Sequence, residues 1–339
     1  MYQIDDYLNQ LYPADKPKLS WNADGSSDWQ EWRHQLKARF IEALGGFPSE
    51  RAALEPALLE RVELDGYIRE RIEITTYPGL RMPAYVLIPS GSPGPFPVAV
   101  ASHGHGYGSR EVVGLKPDGS DLAGEPNLHK NMAVELVERG FLVIAPELIG
   151  FGDRRLAEDI EKGPNENSCF RLAAALLMRG RTLGGHRVYE TMRAIDYILG
   201  RDEAQAGRLG MMGLSGGGLV AGFTAALDER IGATVVSGYT NTFKDSILAM
   251  SHCIDNYIPG ILEWAEMPDL IGLIAPRPLL VEAGSSDPIF PIHGTLDAIA
   301  QLERIYRGSG AESAVEHDIF EGKHEVSGRR SFDWLKERV

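Results

Sequence analysis

Hydrophobic and polar positions along the chain fall into three textures. From Asp28 to Leu44 the apolar residues Trp29, Trp32, Leu36, Phe40, Ile41 and Leu44 recur at helical spacing, with Asp28 as N-cap and Gly45-Gly46 as stop. From Tyr67 the pattern turns to strand: Tyr67 to Tyr77 contains an alternating stretch, Pro78-Gly79 marks a turn, and Met82 to Ile88 supplies the second arm of a hairpin. From Val98 onward short continuous apolar runs, the mark of strands buried on both faces, alternate with helical segments.

The runs predict strands at Val98 to Ser102, Phe141 to Pro146, Gly207 to Met212, Ile231 to Val236, Pro278 to Gly284 and Val315 to Phe320. Between them the spacing predicts helices at Asn127 to Arg139, Cys169 to Arg179, Gly185 to Leu199, Gly217 to Leu227, Thr295 to Tyr306 and Ser331 to Arg338. A β-α-β rhythm of this kind implies right-handed crossovers and an α/β fold, a mostly parallel central sheet of about eight strands with helices on both faces. Residues 1–65 carry little strand signal and form an N-terminal helical segment, which either packs on the main domain at 66–339 or offers a helix to a partner; burial of Trp29 and Trp32 favours packing. Residues 238–276 break the rhythm, with short helices at Phe243 to Met250 and Ile261 to Trp264, and read as a small cap-like insertion.

Composition narrows the function classes. The chain has 339 residues, enough for one large α/β domain with decorations, and 43% of them are hydrophobic. A net charge of −14 argues against nucleic acid or an anionic membrane as partner, since no excess of Lys and Arg exists to displace counterions. No apolar tract is long enough to span a bilayer, and Met1 to Asp6 lacks the basic and apolar regions of a signal peptide. The two cysteines, Cys169 and Cys253, are far apart and follow no metal-ligand spacing, which suits reduced thiols in a cytoplasmic protein. Oligomeric state is not set by these features.

The candidate chemistry centres on Gly213-Leu214-Ser215-Gly216-Gly217. In a chain with 38 glycines the Gly-x-Ser-x-Gly string is weak by itself, but here a buried-type strand precedes it and a helix of small and apolar residues follows. That context makes it a nucleophile elbow, with Ser215 at a helix N-terminus where free N–H groups favour an oxyanion. A second Gly-alternating loop, His103-Gly104-His105-Gly106-Tyr107-Gly108, runs straight off a strand and brings backbone N–H groups close to a ligand. A phosphate cradle would need a following Lys-Ser/Thr, which is missing; a metal on His103 and His105 would need a third ligand that the spacing does not supply. A serine hydroxyl needs a base, and the base an orienting carboxylate. Asp287, in Gly284-Ser285-Ser286-Asp287-Pro288, and His324, in Gly322-Lys323-His324, each follow a late strand. Asp287 has the competing reading of an Asx turn, with Glu282 and Asp297 as fallback acids. His324 competes with His252 as base, while His293 follows Asp287 too closely.

These residues carry a resemblance. The stretch from about residue 65 to 339 resembles the α/β-hydrolase superfamily, and within it dienelactone-hydrolase-like and acetyl-xylan-esterase-like bacterial esterases. The motifs are His103-Gly104-His105-Gly106, Gly213 to Gly217, Ile274-Ala275-Pro276-Arg277-Pro278, Ser286-Asp287 and Gly322-Lys323-His324. It departs from true dienelactone hydrolases in having serine rather than cysteine as nucleophile, and Gly216 stands where carbohydrate acetyl-esterases often carry glutamine. The family's chain order, Ser then Asp then His, implies Ser215 as nucleophile, Asp287 as orienting acid and His324 as base. It further implies the backbone N–H groups of Gly216 and His105 as the oxyanion hole, and a small-molecule ester as substrate with no cofactor and no metal. Tyr107, Phe151, Tyr239 and Trp264 are the expected pocket walls. Two rivals share the features: a serine peptidase of prolyl-oligopeptidase type, whose propeller the first 65 residues are too few to form, and a silent binding module on the same fold.

Overall fold

The computed structural model describes residues 4–12, 16–22 and 28–339. Parts of the N-terminal segment, including the first half of the Met1 to Asp6 stretch read for a leader, therefore lie outside the described residues. A nine-stranded sheet forms the centre, in the order β1-β2-β3-β5-β4-β6-β7-β8-β9. Its antiparallel side consists of β1 (Ala57–Glu63), β2 (Tyr67–Tyr77) and β3 (Leu80–Pro89), the last paired antiparallel to β5 (Leu142–Pro146). The parallel side runs through β5, β4 (Phe96–Ser102), β6 (Ala204–Leu214), β7 (Ala233–Ser237), β8 (Leu279–Gly284) and β9 (Val315–Phe320).

The ninth strand is β1, in the segment expected to be helical. Its residues Leu58 to Arg61 are exposed, so no apolar alternation marks it, and it is held by backbone pairing to β2 at the sheet edge. The parallel strands show the opposite case. Val98 and Val100 of β4 face one core cluster while Ala99 and Ala101 face the other, so every residue of the strand is buried and the two-residue period disappears.

The helices are α1 (Ile4–Leu11), α2 (Trp29–Ala43), α3 (Met132–Glu138), α4 (Ala157–Ile160), α5 (Cys169–Leu177), α6 (Leu183–Leu199), α7 (Gly216–Leu227), α8 (Met267–Gly272), α9 (Ile292–Gly308) and α10 (Ser331–Arg338). Helices α6, α7, α8 and α9 contribute to the core on one face of the sheet, and α3 and α10 to that on the other. Asp28 caps α2 by accepting from the Glu31 N–H. That helix docks on the first face: Phe40 meets Phe223 of α7 edge-on at 4.9 Å between ring centroids, and Trp32 packs against Trp21 at 5.1 Å. A buried aromatic of this kind is worth about 3 kcal/mol or more.

Helix α3 is shorter than the pattern predicts, because Lys130 and Asn131 adopt positive φ and residues 127–131 form a turn. Between β7 and β8, residues Phe243 to Met250 form hydrogen-bonded turns rather than a helix, and Met267–Gly272 forms a helix where none is expected. None of the described helices is long and apolar enough to cross a membrane. The chain reverses its direction of build-up across the sheet at β4, since β5 lies on one side of it and β6 on the other. The crevice at the carboxyl ends of such neighbouring strands is where open α/β sheets bind ligands.

Candidate active site

Ser215 follows β6 directly and opens α7, with φ of 59° and ψ of −122°. A non-glycine residue with these torsions carries strain of about 1–3 kcal/mol that the surroundings must hold. They do so by backbone bonds: the Ser215 N–H donates to the Ser237 carbonyl at 3.0 Å, and the Ser215 carbonyl accepts from Leu219 at 2.9 Å. The flanking glycines are demanded by contact. A Cβ on Gly213 would overlap the Gly217 carbonyl, and one on Gly217 would overlap the Ser102 carbonyl. Gly216 is different, because a Cβ there meets nothing closer than His105 Nδ1 at 3.4 Å.

Asp287 and His324 meet at the same end of the sheet, with His324 Nδ1 2.7 Å from Asp287 Oδ2. The other carboxylate oxygen of Asp287 accepts from the N–H groups of Ile289 at 2.8 Å and Phe290 at 3.1 Å. The Asx turn and the imidazole contact are therefore simultaneous, one oxygen for each. Phe290 stacks on the His324 ring at 5.6 Å with an interplanar angle of 15°. With Nδ1 facing the carboxylate, Nε2 is left for the pocket. Ser215, Gly216, His105 and His324 all line one pocket of about 290 Å³.

Of the fallback acids, Asp297 is exposed on α9, and Glu282 is buried in β8 with another task. Glu282 accepts from Ser237 Oγ at 2.7 Å and from the Ser327 and Gly328 N–H groups at 3.2 Å each, tying down the loop that carries His324. Burial pushes its carboxyl above the usual range. His293 is exposed, and His252 lines the pocket but with an Nε2 that has no partner among the described residues.

The loop after β4 is held from below by buried polar groups, of which the sequence singled out His103 but not His129, Glu111 or Glu147. His103 is fully buried: its Nδ1–H donates to the Gly104 carbonyl at 2.8 Å and its Nε2 accepts from the Leu148 N–H at 3.0 Å. Burial pulls its pKa down to about 3, so the ring is neutral, and both nitrogens are occupied, which removes it as a metal ligand. His129 Nε2 accepts from the Gly104 N–H at 2.9 Å, and its Nδ1 lies 2.8 Å from Glu111 Oε2. Glu111 Oε1 in turn accepts from the Tyr107 N–H at 2.9 Å. Glu147, buried and raised in pKa by that burial, accepts from Ser109 N–H and Oγ. Among the described residues, neither the Gly216 N–H nor the His105 N–H is spent on a hydrogen bond.

The four expected walls lie elsewhere. Tyr107 turns its hydroxyl to the Leu115 carbonyl, and Phe151 is buried behind the loop, edge-on to His103 and His105. Tyr239 is buried between Phe223 and Phe290, while Trp264 stacks under Lys18 and Arg39 beside the N-terminal segment. The actual walls are Leu128, Met250, Ser251, His252, Cys253, Asn256, Ile289 and Phe290. Aromatic residues in a loop region are pulled to the core by their area, and the smaller residues left at the rim carry no sequence signal. Beneath the insertion, the fully buried Arg187 of α6 pairs with Asp255 and donates to the Ile149 carbonyl at 2.8 Å. A charge at an inward position of a helix was the available clue to this pair.

A sequence model of the Abhydrolase family matches residues 5–316. The chain is 29% identical over 288 residues to the Bacillus subtilis protein named "Putative hydrolase YtaP", covering 82% of this chain and 89% of that one. Among solved structures it is similar to a "putative acetyl xylan esterase" from Bacteroides fragilis, with a TM-score of 0.79 and 19% identity over 94% of this chain and 83% of that one. It is also similar to a glucuronoyl esterase from Solibacter usitatus, with a TM-score of 0.66 and 16% identity over 96% and 97% of the two chains.

Proposed function

The chain belongs to the Abhydrolase family, and from that premise we propose that it is a serine carboxylesterase that hydrolyses small carboxylic esters through an acyl-enzyme. The observation that carries the reading is the Asp287–His324 contact of 2.7 Å, with His324 lining the same pocket as Ser215. Ser215 Oγ attacks the ester carbonyl while His324 Nε2 accepts its proton, and Asp287 steadies the imidazolium that forms. The N–H groups of Gly216 and His105 receive the charge on the carbonyl oxygen; a single such donor is worth about 3–4 kcal/mol at the transition state. His324 then returns its proton to the departing alcohol. Water, activated by the same imidazole, releases the acid and restores Ser215.

The pocket favours an uncharged ester, because among the described residues no Lys, Arg, Asp or Glu lines it and its walls are Leu, Met, Ile, Phe, His and small polar residues. The relatives named as acetyl xylan and glucuronoyl esterases are consistent with an ester on a carbohydrate, acetyl being an acyl group that a pocket of about 290 Å³ accepts easily. The expected test uses Ser215→Ala, which removes the nucleophile. Turnover of p-nitrophenyl acetate is expected to fall by about 10⁶ in kcat, and labelling by a fluorophosphonate probe to vanish. Retained turnover in that variant overturns the serine mechanism.

A further inference from the structure

The two cysteines that the sequence leaves unrelated come together beside the pocket. Cys169 opens α5 and Cys253 follows His252 in the insertion, yet their sulfurs and a ring nitrogen of His105 all lie within 4.8 Å of one another. These three side chains share a small recess of about 270 Å³ with Asn167, Phe170 and His252, adjoining the Ser215 pocket. Neither cysteine is in a disulfide.

Three features make this a donor set rather than a chance meeting. His105 Nε2 is a buried atom with no hydrogen-bond partner among the described residues, an arrangement that costs free energy unless something ligates it. Arg187 donates to Cys169 Sγ at 3.1 Å, the kind of outer hydrogen bond that orients a sulfur ligand and favours its thiolate. The charges also balance: Arg187 is neutralised by Asp255, so two thiolates, one neutral imidazole and one divalent cation add no net charge to a buried region.

We propose that His105, Cys169 and Cys253 bind one Zn²⁺ ion, with the fourth position open to the recess. Two sulfurs and one imidazole select a borderline-soft ion over Mg²⁺ or Ca²⁺, which take oxygen ligands. The contacts need to tighten only modestly for Zn–S bonds of about 2.3 Å and a Zn–N bond of about 2.0 Å. Binding replaces the two thiol protons by metal: Zn²⁺ and two S–H groups give the zinc dithiolate and two protons, so affinity rises with pH. His103 takes no part, both its nitrogens being spent on the backbone. The site does not depend on the esterase reading, because Ser215 is not a ligand.

The test is titration of the full-length, chelator-treated and reduced protein with Zn²⁺ against a chromogenic chelator, with Co²⁺ as spectroscopic substitute. One equivalent is expected to bind, and Co²⁺ to give a sulfur-to-metal charge-transfer band in the near ultraviolet. Cys169→Ser and Cys253→Ser should each weaken binding by about 100-fold or more and diminish the band, with His105→Ala weakening it at least tenfold. Circular dichroism of each variant separates ligand loss from misfolding, and Ser215→Ala should bind Zn²⁺ as the parent does. Absence of stoichiometric binding at micromolar Zn²⁺ overturns the proposal, as does a Co²⁺ complex without the band or undiminished binding by folded cysteine variants.

Discussion

The two walls of the pocket are held by different physics. On the β4 side, the loop from His103 to Gly108 rests on buried polar groups. His129 receives the Gly104 N–H, Glu111 sits against His129 and the Tyr107 N–H, and Glu147 secures Ser109. On the insertion side, Met250 and Ser251 are exposed. The Arg187–Asp255 pair anchors that side only from beneath. A buried hydrogen-bonded network fixes donor positions to fractions of an ångström, whereas a rim of exposed side chains fills space and tolerates exchange. Under the proposed mechanism, the difference places the oxyanion donors on the first wall and the choice of ester on the second.

The sharpest way to break this contrast lies where His324 meets Asp287. Asp287→Asn keeps an oxygen for the Ile289 and Phe290 N–H groups but denies the imidazole its carboxylate. The expected result is a fall in kcat of about 10⁴ with the fold retained, by analogy with the same change in a serine protease triad. A loss under tenfold in steady-state kinetics would move the acid's role elsewhere. It could not pass to Glu282 without undoing that residue's bonds to Ser237, Ser327 and Gly328.

A smaller effect is expected one layer down. His129→Ala removes the acceptor of the Gly104 N–H and frees the loop that carries the His105 N–H. A drift of about 1 Å there should cost about 100-fold in kcat with KM little changed, and Glu111→Gln should cost less because the amide still accepts from Tyr107. If His129→Ala lowers only the melting temperature, the network supports the fold and does not position the oxyanion donor.

His103 belongs to the same wall and yields a pH prediction. Burial holds its folded pKa near about 3, below the ordinary value of 6.5. Between those values the unfolded chain binds a proton that the folded one refuses. Its contribution is therefore fully present above about pH 6.5 and is lost as pH falls towards about 3, by up to about 1.4 kcal/mol per pH unit. Buried carboxylates with raised pKa, Glu147 and Glu282 among them, act in the opposite sense, so the check must be specific to the ring. In ¹⁵N NMR the His103 imidazole should remain the neutral Nδ1–H tautomer at pH 5; an imidazolium signal there sinks the assignment.

Legibility in the sequence followed the same division. The parallel strands were readable because burial on both faces leaves continuous apolar runs, as in Phe141 to Pro146, and the elbow because Gly213 and Gly217 have no room for a Cβ. Ser215, Asp287 and His324 could be picked out because each directly follows a strand or lies in the loop beyond one. β1 escaped because an exposed edge strand needs no pattern, and the buttress of His129, Glu111 and Glu147 because polar partners distant in the chain leave no period. The pocket walls failed most, since aromatic residues such as Tyr239 and Phe151 were drawn into the core. Cys169 and Cys253 could not be related at all until the fold brought α5 under the insertion.

The smallest expected effect concerns the second wall. Met250 lines the pocket from an exposed turn, so truncation leaves no closed cavity and should change stability by no more than about 0.5 kcal/mol. The space it opens is about that of a few methylenes, each worth about 1 kcal/mol or more to an acyl chain that fills it. Met250→Ala should therefore raise kcat/KM for p-nitrophenyl butyrate relative to the acetate by a few-fold to tenfold. The turnover of the acetate itself should scarcely change, because neither the Asp287–His324 contact nor the His129 buttress touches Met250. Equal losses of about 100-fold on both esters would show that the insertion positions reacting groups, and the division between the two walls would then fail.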